Sequence, residues 1–160
     1  MKRDDFRADE QRAIEEKLFE CIRQIIPDVD LISNADVPLL LTPGTSIRPD
    51  FYSEAGAVIG EVFAHRGTLK PGQKHKIAMD ILKMLLLEED RGSGYKKYIV
   101  VCSSAVQGYL EGKSALAAAC KQFGIRVLNL EKELSQSDIE MLESAQRRQN
   151  FYPIDKEAEG

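Results

Sequence analysis

Residues 97–102 read KYIVVC, an unbroken apolar and β-branched run between two loop-like stretches. A strand with no polar face has nothing to present to water, so it has to be covered on both sides. Residues 125–130 (IRVLNL) repeat the pattern, and Ser114 stands between the two runs where it can cap a helix that Gly124 closes after about residue 123. Strand, helix, strand predicts a parallel, right-handed crossover. The 103–113 stretch, interrupted by Gly108 and Gly112, reads as a loop or irregular helix.

The rest of the chain supplies the layers that such strands need. Residues 8–26 place Ile14, Leu18, Ile22 and Ile25 on one stripe, and Pro27 follows where a helix should stop. Residues 28–45 read as one strand and an irregular connection, with Val29, Leu31, Ile32 and the 37–41 run as strand material and a turn at 42–45. Alternation over 46–52 puts Arg48, Asp50 and Tyr52 on one face, 53–56 turns the chain, and 57–65 returns with Ile59, Glu61, Phe63 and His65 on one face. After the break at 69–72, residues 73–89 form a helix that is apolar nearly all round its later turns, the pattern of a helix buried on every side. Ser137 and Glu140 fit a capping box for a last helix running to about residue 149. The order predicts an α/β protein with a mixed central sheet of about five strands flanked by helices. One domain spans 1–160, with its core at about 8–130, a C-terminal helix at about 137–149 and a tail at 150–160.

Composition narrows the class. Hydrophobic residues at 43% and charged residues at 30% are ordinary for a soluble globular chain, and the net charge of −4 argues against a protein that coats nucleic acid without regard to sequence. Cations are instead local: no acid occurs between Val62 and Met79, whereas Arg66, Lys70, Lys74, Lys76 and both histidines, His65 and His75, do. Three widely spaced cysteines without a CxxC pair, no apolar signal core and no apolar run long enough for a bilayer predict reduced thiols in a cytoplasmic protein with no membrane segment. Cys102, at the end of a buried strand, reads as an inert core thiol. Two histidines ten residues apart make a weak zinc pattern, and neither GxGxxG nor GxxxxGK occurs.

The chemistry-bearing pair is Asp50 and Glu61, two carboxylates on consecutive strands of a hairpin. Converging carboxylates suit Mg²⁺ (or Mn²⁺), a hard cation that takes oxygen ligands and keeps waters for a substrate phosphate. Pro49-Asp50, then Glu61 after an apolar run-up, resembles the PD-(D/E)xK nuclease superfamily of restriction endonucleases, junction resolvases and repair nucleases. The resemblance covers the order of elements from about 8 to 130 and implies a restriction-endonuclease-like core and Mg-dependent hydrolysis of phosphodiesters, with DNA as the partner and a homodimer where a duplex is cut. It implies Asp50 and Glu61 as metal ligands, Glu15 on the first helix as an additional acid, and Gln73 as a glutamine that some members carry at the second helix. One position departs: the signature lysine falls at 63, where this chain has Phe63. Lys74, on the stripe of Ile77, Ala78, Ile81 and Leu85, is the expected substitute, ahead of Lys70 in the turn and Lys76 off the stripe. The alternative is a catalytically inactive nuclease-fold protein acting as a nucleic-acid-binding or assembly subunit, to which Phe63 and the acidic net charge point.

Overall fold

A computed structural model describes residues 3–26, 30–33, 38–42, 44–92 and 94–151. The chain begins with helix α1 (Arg3–Ile25) and short strands β1 (Ile32–Ser33), β2 (Leu39–Leu41), β3 (Thr45–Ile47) and β4 (Phe51–Ser53). Strand β5 (Val58–Phe63), helix α2 (Pro71–Arg91), strand β6 (Lys96–Val101) and helices α3 (Ser104–Leu110) and α4 (Ala115–Gln122) follow. Strand β7 (Ile125–Asn129), a 3₁₀ turn at Glu131–Glu133 and helix α5 (Gln136–Phe151) complete it. Five strands make one sheet in the order β1-β4-β5-β6-β7. The β1–β4 and β4–β5 pairs are antiparallel, whereas β5–β6 and β6–β7 are parallel, so the sheet is mixed and flanked by helices as the element order predicts.

Strand β6 shows why both faces must be covered. Tyr98 and Val100 point into a core shared with Ile14, Leu18 and Ile22 of α1, while Ile99 and Val101 point into a second core with Ile77, Ile81, Met84 and Leu87 of α2. Five of its six residues are buried, which accounts for the continuous apolar run. On α1 the buried stripe continues to Ile26, and Ile25 is exposed instead.

Local chemistry moves several boundaries. Residues 46–52 are not one strand: Pro49, with no N–H to give a ladder, separates β3 from β4, and β3 pairs with β2 in a small second sheet. Residues 28–45 hold more than one strand, since β1, β2 and the first residue of β3 all form there and Leu39–Leu41 of the apolar run is β2; Pro27, Val29, Val37 and the tail from Tyr152 lie outside the described residues. Ser104–Leu110 is a genuine helix, because Val106 and Leu110 reach the core despite Gly108. The last helix is capped by Ser135 rather than Ser137: Ser135 Oγ accepts from Asp138 N at 3.1 Å, and Asp138 Oδ2 accepts from Ser135 N at 2.9 Å. Helix α2 is not covered on every side, since Met79, Leu82 and Leu86 are 52%, 49% and 46% exposed. Among the described residues no helix is long and apolar enough to cross a membrane.

The tightest backbone approach is at Gly60, where an added Cβ would stand 1.9 Å from Phe51 Cζ. Phe51 is fully buried, with its ring 6.4 Å from that of Tyr98, so it has nowhere to retreat. Gly60→Ala is expected to lower unfolding free energy by about 2–3 kcal/mol in urea titrations, the usual cost of overpacking a core. Gly108→Ala, in open space on α3, is expected to raise it by up to about 1 kcal/mol.

Candidate metal centre

The β4–β5 hairpin brings Asp50 and Glu61 together. Phe51 pairs with Gly60, so Asp50, one residue ahead of β4, comes opposite Glu61. Two bonds interlock them: Val62 N–H donates to Asp50 Oδ2 at 2.7 Å, and Asp50 N–H donates to Glu61 Oε2 over a longer 3.4 Å. Glu61 alternates with Ile59 and Phe63 on the face that packs under α2, and only 6% of it is exposed.

Such a position is costly for a charge. Burial pushes the Glu61 carboxyl up to about 9, and the Asp50 charge, a side-chain hydrogen bond with Asp50 and the more distant Asp80 add to the rise. Asp80, on the buried face of α2, is itself raised by burial and by Asp50, with Lys76 and Lys83 opposing. Asp80 was not anticipated, although its signal lies in the sequence as the single acid on the stripe of Ile77, Ile81, Met84 and Leu87. A carboxylate placed there faces the sheet.

The two lysines in the first turns of α2 reach different aromatic rings. Lys74 Nζ sits 5.0 Å from the centre of the Tyr109 ring on α3, whereas Lys76 Nζ sits 5.5 Å from the centre of the Phe63 ring. Lys76 is therefore the cation over Phe63, and it is the first cation opposing Asp80's rise. Lys70 precedes α2 as its N-cap. Gln73 is engaged in local structure: its Oε1 accepts from Lys70 N at 2.7 Å, and its Nε2 lies 2.8 Å from His65 Nδ1, with His65 Nε2 3.2 Å from Thr68 O. His75 is exposed. Glu15 is exposed on α1, beyond the opposite face of the sheet, with Gln11 donating to it at 3.5 Å; it does not join the pair. Cys102 is fully buried, and burial pushes its thiol up to about 12, as an inert core cysteine requires.

Arg66, in the basic segment after β5, is spent on structure. It pairs with Glu131 at 2.9 Å and Glu143 at 3.2 Å and donates to the Cys102 carbonyl. A cavity of about 420 Å³ opens beside it, lined by Gly67, Ser103, Ser104 and Arg147 among others.

Among the described residues no group of three or more His, Cys, Asp or Glu side chains is placed to hold one metal ion. A cation at this centre would rest on Asp50 and Glu61 and complete its shell with water, which suits Mg²⁺ better than a metal that needs an all-protein cage. The pair fits such an ion on its own chemistry: the buried Glu61 carboxyl and the half-buried Asp50 carboxylate disfavour each other's charge, and an oxygen-seeking cation offsets that. Comparisons with protein-family models, curated proteins and solved structures find no match.

The raised Glu61 carboxyl sets the sign of a pH effect. Between its ordinary 4.5 and about 9 the metal-free folded chain holds a proton that the unfolded chain has released, so stability falls as pH rises across that window. The urea-derived stability of wild type is expected to lose at least about 1.4 kcal/mol more than that of Glu61→Gln between the two ends, the equivalent of a single unit of carboxyl shift.

Proposed function

We propose that the chain hydrolyses phosphodiesters of DNA in a Mg²⁺- or Mn²⁺-dependent reaction at the Asp50–Glu61 pair. The observation that carries this reading is the convergence of the buried Glu61 and the half-buried Asp50 across the β4–β5 hairpin, with Lys76 Nζ 5.5 Å from the ring centre of Phe63, two residues after Glu61. When bound, the divalent ion supplies the positive charge that polarises a phosphoryl oxygen. Asp50 and Glu61 hold it, and the hydrogen bond from Val62 N keeps the Asp50 carboxylate turned toward its partner. Lys76 takes the part of the missing signature cation, stabilising negative charge that grows on the phosphoryl group in the transition state. Asp80, four residues on along α2, attracts the Lys76 ammonium. Absence of acids from Val62 to Met79 leaves the approach to the pair positive, which favours a polyanionic substrate.

A second reading, a binding or assembly subunit that no longer cuts, is favoured by Phe63, whose apolar ring replaces the signature lysine in the core. Calorimetric titration with Mn²⁺ and nuclease assays on single-stranded, duplex and branched DNA, with RNA as a further arm, separate the two. Asp50→Asn keeps an acceptor for Val62 N and is expected to abolish Mn²⁺ binding and reduce cleavage by about 10²–10³-fold or more. Lys76→Ala is expected to reduce cleavage by at least about tenfold while leaving Mn²⁺ binding within about twofold, and Lys74→Ala to change it by less than about threefold. Cleavage equal in wild type and Asp50→Asn would overturn the assignment of the site, and metal binding without cleavage of any substrate would favour the second reading.

A further inference from the structure

We infer that the outer face of α2 is a self-association surface on which a second copy of this chain docks antiparallel. The inference does not depend on the nuclease reading, because it concerns the side of α2 opposite Asp80 and the sheet. Apolar residues surround the later turns of α2, and a helix of that kind is normally enclosed. Only one side of it is: Ile77, Ile81, Met84 and Leu87 fill the core, while Met79, Leu82 and Leu86 remain about half exposed.

The open residues are ordered. His75, Met79, Leu82, Leu86 and Glu89 follow one another at spacings of four, three, four and three, the seam that one helix offers to another at 3.5 residues per turn. The three apolar members occupy its centre, flanked by Ala78 and Leu85, and the polar members, both exposed, occupy its ends.

Charge selects the occupant and its direction. The exposed polar ends of the seam are His75 in the first turns of α2 and Glu89 in the last, since Glu88 is held by Lys97 and Asp90 by Arg91. A parallel copy would set His75 against His75 and Glu89 against Glu89. An antiparallel copy sets His75 of each helix against Glu89 of the other, twice over, around an apolar centre that faces itself. That is the self-complementarity a two-fold interface requires, and it opposes the helix dipoles as well. Docking there leaves the Asp50–Glu61 pair, on the other side of α2, uncovered.

The test is the mass of the full chain in solution, by light scattering or sedimentation, from about 1 to about 200 μM. Wild type is expected to approach twice the 17.9 kDa chain mass as concentration rises. Leu82→Glu is expected to remain at the chain mass with an unchanged circular dichroism spectrum, since a half-exposed position accepts the charge; Met79→Glu provides an independent second disruption. Glu89→Lys is expected to weaken the dimer at least about threefold, with His75→Glu in the same chain restoring it. A wild type that stays monomeric throughout, or a dimer indifferent to both Leu82→Glu and Met79→Glu, would overturn the inference. Strengthening by Glu89→Lys would overturn the antiparallel direction. Dimerisation by a chain ending at Phe151, but not by the full chain, would assign the stripe to the chain's own last residues instead.

Discussion

A carboxylic acid enclosed beneath a helix is the constraint around which the centre of this protein is arranged. Glu61 occupies the second strand of a hairpin, faces the α2 core, and has the acid of the preceding strand directly opposite. Isolated, such a group would either unfold its surroundings or remain protonated. The neighbouring features answer that demand in part: a backbone N–H from Asp50 reaches it, and Lys76 and Lys83 stand on the helix above beside Asp80. What stays unanswered is a carboxyl held far above its usual range, a perturbation that a well-packed apolar core would never have accumulated.

Parallel pairing determines where that surplus is located. Strands β5, β6 and β7 run the same way, and the acids lie toward the carboxyl end of β5, the edge at which open α/β sheets generally receive ligands. Arg66, Ser103 and Glu131 follow the ends of the same three strands, so their hydrogen bonds and ion pairs fasten the loops at that edge to one another and to α5. The edge is thereby rigid on the α5 side and charged on the hairpin side.

Much of the scaffold could be read from residue order because its signals are local or doubly determined. The 97–102 run had to be central, Ser114 and Gly124 bracket α4 as caps, and the 53–56 turn specified a hairpin. Failures occurred where two local signals competed. Ser135 and Ser137 both precede an acid three residues later, and only the chain's approach to α5 decides between them. Pro49 cut an alternation that looked continuous. On α2 the difficulty was of another kind. With apolar residues on the outer stripe as well as the inner one, hydrophobicity could not fix which way the helix faced: Ala78 is exposed, whereas Asp80, Met84 and Leu87 are buried. Asp80 was passed over for the same reason, since an acid is discounted as core until the rotation of its helix is known.

The close approach of Phe51 to Gly60 acts as a key for strand alignment. A ring lying where a Cβ would be can be accommodated only opposite a glycine, and β5 has one. Sliding β4 by two residues, which would preserve which side chains face the core, places Val58 or Val62 beneath the ring and is sterically refused. The one alignment left is the one that sets Asp50 opposite Glu61 and within reach of Val62 N. A residue with no side chain, on the face away from the acids, thus decides whether the acids meet at all.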